Sequence, residues 1–152
     1  MKTTSNITIE APASLVFLWL EDADRLKQWV PNLIEDEALV ETPEKVGSKF
    51  RQVFSERGKE MVMIGEITEY IENERMRVDI CGDMFDLDLQ YSFKAEGAAR
   101  THLTQETSIK FKGMMKLLTP IFAVMNIFMG SKAQDEALSR MKQLAEAEHK
   151  GA

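Results

Sequence analysis

Thiol, imidazole and basic charge are all scarce in this chain, and each scarcity removes a class of function. Of 152 residues, one is cysteine (Cys81) and two are histidine (His102 and His149). A lone cysteine forms no internal disulfide, which points to a reducing, cytoplasmic setting. The two histidines lie far apart and no Cys/His cluster has ligand spacing, so neither a metal nor another cofactor is expected. Lysine and arginine total 19 against 25 aspartates and glutamates, a formal charge of −6 with no basic cluster. Phosphate binding needs a basic patch, so nucleic acid is not an expected partner. Long apolar runs are missing too. The most apolar stretch, 114–129, is broken by Lys116, Thr119, Pro120 and Asn126, too short and too interrupted for stable membrane insertion. The first residues lack the apolar core of a signal peptide.

What remains is an ordinary globular balance, 44% hydrophobic and 29% charged, with no repeat or linker, and a single domain over 1–152 is expected. Thr4 to Ile9 reads as a strand. Pro12 suits a first helical turn ahead of Leu15 to Leu20, and Asp22 suits the N-cap of a second short helix that Pro31 ends. Six strand patterns follow: Ile34–Val40, Lys49–Ser55, Met61–Ile71, Arg75–Cys81, Met84–Lys94 and Arg100–Phe111. In the clearest of them Phe85, Leu87, Leu89, Tyr91 and Phe93 alternate with Asp86, Asp88, Gln90 and Ser92. Strict alternation means one buried and one wet face, the property of an antiparallel sheet covered on a single side. From Thr119-Pro120 the period becomes helical to Gly151, with an apolar first half from Ile121 to Met129 and an amphipathic second half. The expected class is α+β: about seven strands curved around a long C-terminal helix.

Three segments carry a family resemblance. Residues 7–33, ITIEAPASLVFLWLEDADRLKQWVPNL, hold an I-x-A-P-A strand end, V-F-x-x-L, an aspartate and W-x-P; residues 65–78, GEITEYIENERMRV, and residues 100–120, RTHLTQETSIKFKGMMKLLTP, follow. Together they resemble the START-like superfamily, and within it the polyketide cyclase/dehydrase-like (SRPBCC) branch. The resemblance implies a helix-grip fold, ordered β-α-α-β6-α, with a cavity between sheet and C-terminal helix. It is specific to fold and not to function, because the matching residues are structural punctuation.

Several residues invite chemistry. His102 shares strand phase with Thr104, Glu106 and Ser108, so it is expected to face water. Asp86 and Asp88 share a face, as an acid and base would, but that face is the polar one, so they are expected to be solvated rather than catalytic. More informative are Gln52, Tyr91, Gln105 and Thr107, polar residues in the apolar phase of their strands. Buried polar groups need partners, either one another, the backbone or a ligand. Apolar walls with a few convergent polar groups describe a small-molecule pocket. None of the four is a strong base at neutral pH, which favours binding over acid–base catalysis.

The expected function is therefore to hold an apolar or amphipathic small molecule (lipid-like, isoprenoid or polyketide-like). The expected contacts are Trp29 from the second helix, then Phe50, Gln52, Phe54, Met76 and Val78 from the sheet. Leu87, Leu89, Tyr91, Leu103, Gln105 and Thr107 continue them, and Ile121, Met125, Phe128 and Met129 of the long helix close the site. Two alternatives stay open. One is a cyclase- or dehydratase-like enzyme in which Tyr91 or Gln105 polarises a carbonyl. The other is an interaction module, including a homodimer, built on the apolar face of the C-terminal helix. Ten methionines suit either an adaptable pocket or ordinary core filling.

Overall fold

The structure, a computed structural model, describes residues 2–113 and 131–152. The expected start of the long helix at Thr119-Pro120 and its apolar half, including Ile121, Met125, Phe128 and Met129, lie outside the described residues.

Strand β1 (Lys2–Ile9) leads to helices α1 (Ala13–Glu21) and α2 (Ala23–Trp29). Then come β2 (Leu33–Val40), β3 (Lys49–Glu56), β4 (Lys59–Ile71), β5 (Arg75–Cys81), β6 (Phe85–Ala95) and β7 (Thr101–Phe111), and finally helix α3 (Ser131–Gly151). The seven strands form one curved antiparallel sheet in the order β1-β7-β6-β5-β4-β3-β2. The long-range pairing of β1 with β7 returns the chain's start to its last strand, and β2 forms the opposite edge.

Local chemistry sets the corners. Pro12 precedes α1 in an extended conformation, and its carbonyl accepts from Val16 N at 3.1 Å. A single residue, Asp22, ends α1 and caps α2: its backbone N–H closes on Leu18, and its carboxylate accepts from Arg25 N at 3.1 Å. Val30 and Pro31 stop α2, as the restriction on a residue before proline requires. Arg57 and Gly58, both at positive φ, make the two-residue turn of the β3–β4 hairpin. A register shift between Ile67 and Glu69 changes the phase of β4 part-way along. Ile67 and Tyr70 therefore both reach the inner face, opposite Val78 and Met76.

Helix α3 lies against β1, α1 and α2. Its inward residues Gln134, Leu138, Met141 and Ala145, spaced one helical face apart, are all buried. Polar ties fix its far side: Lys142 Nζ donates to Thr8 O at 2.7 Å, and Glu10 N donates to Glu146 Oε2 at 2.8 Å. Arg25 Nε reaches Glu148 Oε1 at 3.0 Å, and Arg140 Nε donates to Gln28 O at 2.6 Å. The core beneath joins Ile9, Val16, Phe17, Phe93, Leu103, Leu138 and Met141. Phe17 meets the edges of Phe93 and Tyr70, at centroid distances of 5.1 and 5.5 Å. No helix among the described residues is long and apolar enough to cross a membrane.

Candidate functional site

A cavity of about 690 Å³ opens between the inner face of the sheet, α2 and the first turns of α3, within the usual range for small-molecule sites. Its floor is built by strand alternation. Strand β3 contributes Phe50, Gln52 and Phe54, β5 contributes Met76, Val78 and Ile80, and β6 contributes Leu87, Leu89 and Tyr91. Gln105 comes from β7, and Ile67 and Tyr70 arrive from β4 through its register shift. Leu26, Trp29 and Val30 of the α2 region form one wall, and Ala133, Gln134 and Ala137 of α3 another. Asp36, Ala38 and Val40 of β2 and the loop residues Thr42, Lys45 and Ser48 border the rest.

The room in this half of the sheet has a visible cause. Phe50 stands opposite Gly65 on the neighbouring strand, and a β-carbon at Gly65 would lie 2.2 Å from its ring. The ring thus lies over backbone that carries no side chain, leaving the space above it open. Trp29 is held at the wall by its indole N–H, which donates to Trp19 O at 2.8 Å.

Polar and charged residues also line the cavity, Glu21, Asp22, Glu41 and Lys49 among them, and several of its polar groups have defined partners. Gln52 Nε2 donates to Asp36 Oδ2 at 3.4 Å. Burial pushes the Asp36 carboxyl above its ordinary value, against the opposing effects of that hydrogen bond and the Lys27 charge. The Tyr70 hydroxyl donates to Glu21; burial first, and this bond second, push its phenol up. Tyr91 is pushed up by burial alone, so it stays a neutral phenol. A buried network runs from the floor into α3. Gln105 Nε2 donates to Thr107 Oγ1 at 3.2 Å, Thr107 Oγ1 to Gln134 Oε1 at 2.7 Å, and Gln134 Nε2 to Ser5 Oγ at 2.9 Å and Gln105 O at 3.3 Å. Among the described residues the buried Gln105 Oε1 has no hydrogen-bond partner.

Of the residues expected to meet a ligand, Trp29, Phe50, Gln52, Phe54, Met76, Val78, Leu87, Leu89, Tyr91 and Gln105 are brought together on the cavity wall. Leu103 and Thr107 are not on it. Leu103 has the inward phase but is fully buried in the core with Leu138 and Met141, and Thr107 spends its hydroxyl within the Gln105–Gln134 network. Asp36, Gln134 and Tyr70 are cavity residues that the sequence reading missed. Asp36 shares phase with Ala38 and Val40, and Gln134 precedes Leu138 by one turn, so alternation and helical spacing both carried a signal; Tyr70 enters through an irregularity that alternation does not contain.

The outer face holds the other candidates. His102 Nε2 lies 3.2 Å from Asn6 Oδ1 and its Nδ1 3.2 Å from Thr8 Oγ1. Asp88 pairs with Arg77 at 2.6 Å and Asp86 with Lys112 at 2.9 Å. Among the described residues no group of three or more His, Cys, Asp or Glu is placed to hold a metal ion.

Comparison with known proteins adds a family and a fold. A family model described as polyketide cyclase / dehydrase and lipid transport matches residues 9–142. A START superfamily protein from Mycobacterium smegmatis aligns over 99% of this chain and 97% of its own, with TM-score 0.72 and 18% identity. The Zhui aromatase/cyclase from Streptomyces sp. R1128 aligns over 96% and 93%, with TM-score 0.76 and 16% identity. The protein TTHA0849 from Thermus thermophilus aligns over 97% and 99%, with TM-score 0.74 and 17% identity. At these identities the likeness concerns fold alone. No curated protein matches the chain in sequence.

Proposed function

Because the chain belongs to the polyketide cyclase / dehydrase and lipid transport family, we propose that it binds an apolar or amphipathic small molecule between the inner face of its sheet and its C-terminal helix. One observation carries this reading: a cavity of about 690 Å³ whose floor is built by apolar side chains of β3, β5 and β6. Burying apolar ligand surface there yields about 25 cal/mol per Å², and polar wall atoms orient what is bound. Trp29, Phe50, Phe54, Met76, Val78 and Leu89 are the proposed apolar contacts, with Gln52, Tyr91 and Gln105 as the polar ones. Native mass spectrometry of protein purified without detergent tests it. A small molecule that is retained in the folded protein and released on unfolding is the expected result. Ligand-free protein that also takes up nothing from an added lipid extract would contradict it.

A catalytic reading has one specific observation in its favour. Asp36, a carboxyl raised by burial, borders the same cavity as the neutral Tyr91 phenol, and groups so placed can move protons on a bound carbonyl compound. On that reading Asp36→Asn abolishes turnover and leaves affinity intact; on the binding reading there is no turnover to lose.

A further inference from the structure

One carboxylate on the cavity wall is drawn out of water without a counter-ion. Asp36 lies in the middle of the edge strand β2, where its neighbours Glu35 and Glu37 are exposed and it is half-buried. The cause is phase: Asp36 stands opposite Gln52 of β3 on the inner face, and both residues line the cavity. A carboxylate removed from water is costly unless a cation or several donors replace the lost hydration. Asp36 has one donor. Gln52 Nε2 reaches it at a long 3.4 Å. Lys27 of α2 contributes a favourable charge at a distance, but its ammonium is paired elsewhere, 3.5 Å from Asp24. Among the described residues no lysine, arginine or histidine forms an ion pair with Asp36.

Gln52 adds a second acceptor. It is 5% exposed, and a carboxylate only accepts, so the amide nitrogen is committed to Asp36. Among the described residues its amide oxygen has no hydrogen-bond partner. Two neighbouring side chains of the cavity wall thus carry acceptor oxygens that lack donors. The surrounding charge has the same sign. Glu21, Asp22 and Glu41 line the cavity with Asp36, against Lys45 and Lys49, four carboxylates to two ammonium groups. Lys49 faces Glu66, its cross-strand partner, at 3.8 Å, and Lys45 is exposed on the loop after β2. Asp22 is likewise paired with Arg25, at 3.2 Å. Exposed charges of this kind are screened by water and salt. Asp36 differs from them by its burial.

From this placement, and resting on the ligand-binding reading above, we infer that the cavity takes an amphiphile whose polar end is a cationic amine, with the Asp36 carboxylate as its counter-ion beside Gln52. An anionic head group, such as that of a fatty acid, meets repulsion at the same place. The test is isothermal titration of the wild-type protein at pH 7 with three probes that share one ring system and differ in charge. They are 2-naphthylmethylamine, a cation, 2-naphthol, which is neutral, and 2-naphthoate, an anion. An apolar cavity without a counter-ion disfavours both charged probes alike. Here the amine is expected to bind about tenfold more tightly than 2-naphthoate, the factor that a hydrogen bond to a charged group supplies. That advantage should survive about 0.5 M salt, because a partly buried pair is screened far less than a surface one. If 2-naphthol binds but the amine binds no more tightly than 2-naphthoate, or loses its advantage in salt, the amine selectivity is overturned while the cavity reading stands. If no probe binds, both fall. Asp36→Asn, with its fold checked by far-UV circular dichroism, removes the charge at nearly constant shape. Amine affinity should fall about tenfold, with that of 2-naphthol unchanged. Affinities for the two probes that both hold, or that fall together, would overturn Asp36 as the counter-ion. If that variant does not fold, the salt-resistant order of the wild-type titrations decides alone.

Discussion

Two halves of one sheet obey the same alternation and end in opposite states. On the β1/β7 side, Ile9 and Leu103 are covered by helices, and Leu138, Met141 and Ala145 of α3 fill the space beside them with almost no exposure. On the β3/β5 side, Phe50, Phe54, Met76 and Val78 point inward with equal regularity, yet the volume above them is open. The difference does not come from the strands. Among the described residues it comes from what lies over them: α3 runs along β1, whereas the other half is bordered by the short α2, the first turns of α3, and β2 with the loop that follows it, and Gly65 lets Phe50 lie close to the sheet. Periodicity states which side chains face in; the path of the covering helix decides whether they meet protein or empty space.

The largest expected effect lies in the filled half. Met141 is fully buried, so Met141→Ala should cost about 2–5 kcal/mol, read as a shift in the urea midpoint with unchanged slope. Val78→Ala, on the cavity wall, removes a side chain that already borders a void and should cost about 1 kcal/mol. Equal losses would mean that the two halves are packed alike.

Adding volume sharpens the contrast. Leu103→Trp overpacks a closed site and should destabilise by about 1–3 kcal/mol. Leu89→Trp has the cavity to occupy, so it should cost under about 1 kcal/mol while abolishing the binding of an apolar probe such as ANS. Thermal melts by circular dichroism, paired with probe titration, check both. A Leu89→Trp protein that is strongly destabilised would show that the space is not available.

These contrasts also mark how far the sequence could be read. The strands and short helices were legible because alternation, Asp22, Pro31 and the Arg57-Gly58 turn are local signals. The register was legible wherever the alternation is unbroken, as in β6. Leu103 and Leu89 were indistinguishable by phase, because burial under a distant helix is a long-range property. Tyr70 was hidden by the register shift in β4. Thr42, Lys45 and Ser48 were hidden because a loop's course over the cavity follows from no period. Asp36 and Gln134 were readable and overlooked: each is a polar residue in an apolar phase.

A smaller effect is expected at Gly65. A β-carbon there displaces the Phe50 ring, and the nearest free volume is the cavity. Gly65→Ala should therefore weaken binding of the apolar probe several-fold while moving the melting temperature only slightly. A strong loss of stability with unchanged affinity would mean that the ring cannot swing inward.

The smallest effect concerns Asp36. Its carboxyl is raised in the folded state, so between the ordinary and the raised value the fold holds a proton that the unfolded chain has released. Stability therefore falls as pH rises through that window, and ionised Asp36 is a burden at neutral pH. Asp36→Asn, which keeps an acceptor for Gln52, should melt higher at pH 7, by about 2 °C. The gain should vanish once the pH lies below the ordinary aspartate value. A variant that melts lower at neutral pH would show that the ionised carboxylate is favourably held.

The difference between the halves is observed most directly by methyl-resolved NMR during titration with 2-naphthol. The methyl groups of Met76, Val78 and Leu89 should shift in a saturable manner, with those of Leu103, Leu138 and Met141 almost unmoved. Shifts confined to the filled half or to the outer face, or the absence of any saturable shift, would contradict a ligand cavity on the β3/β5 side of the sheet.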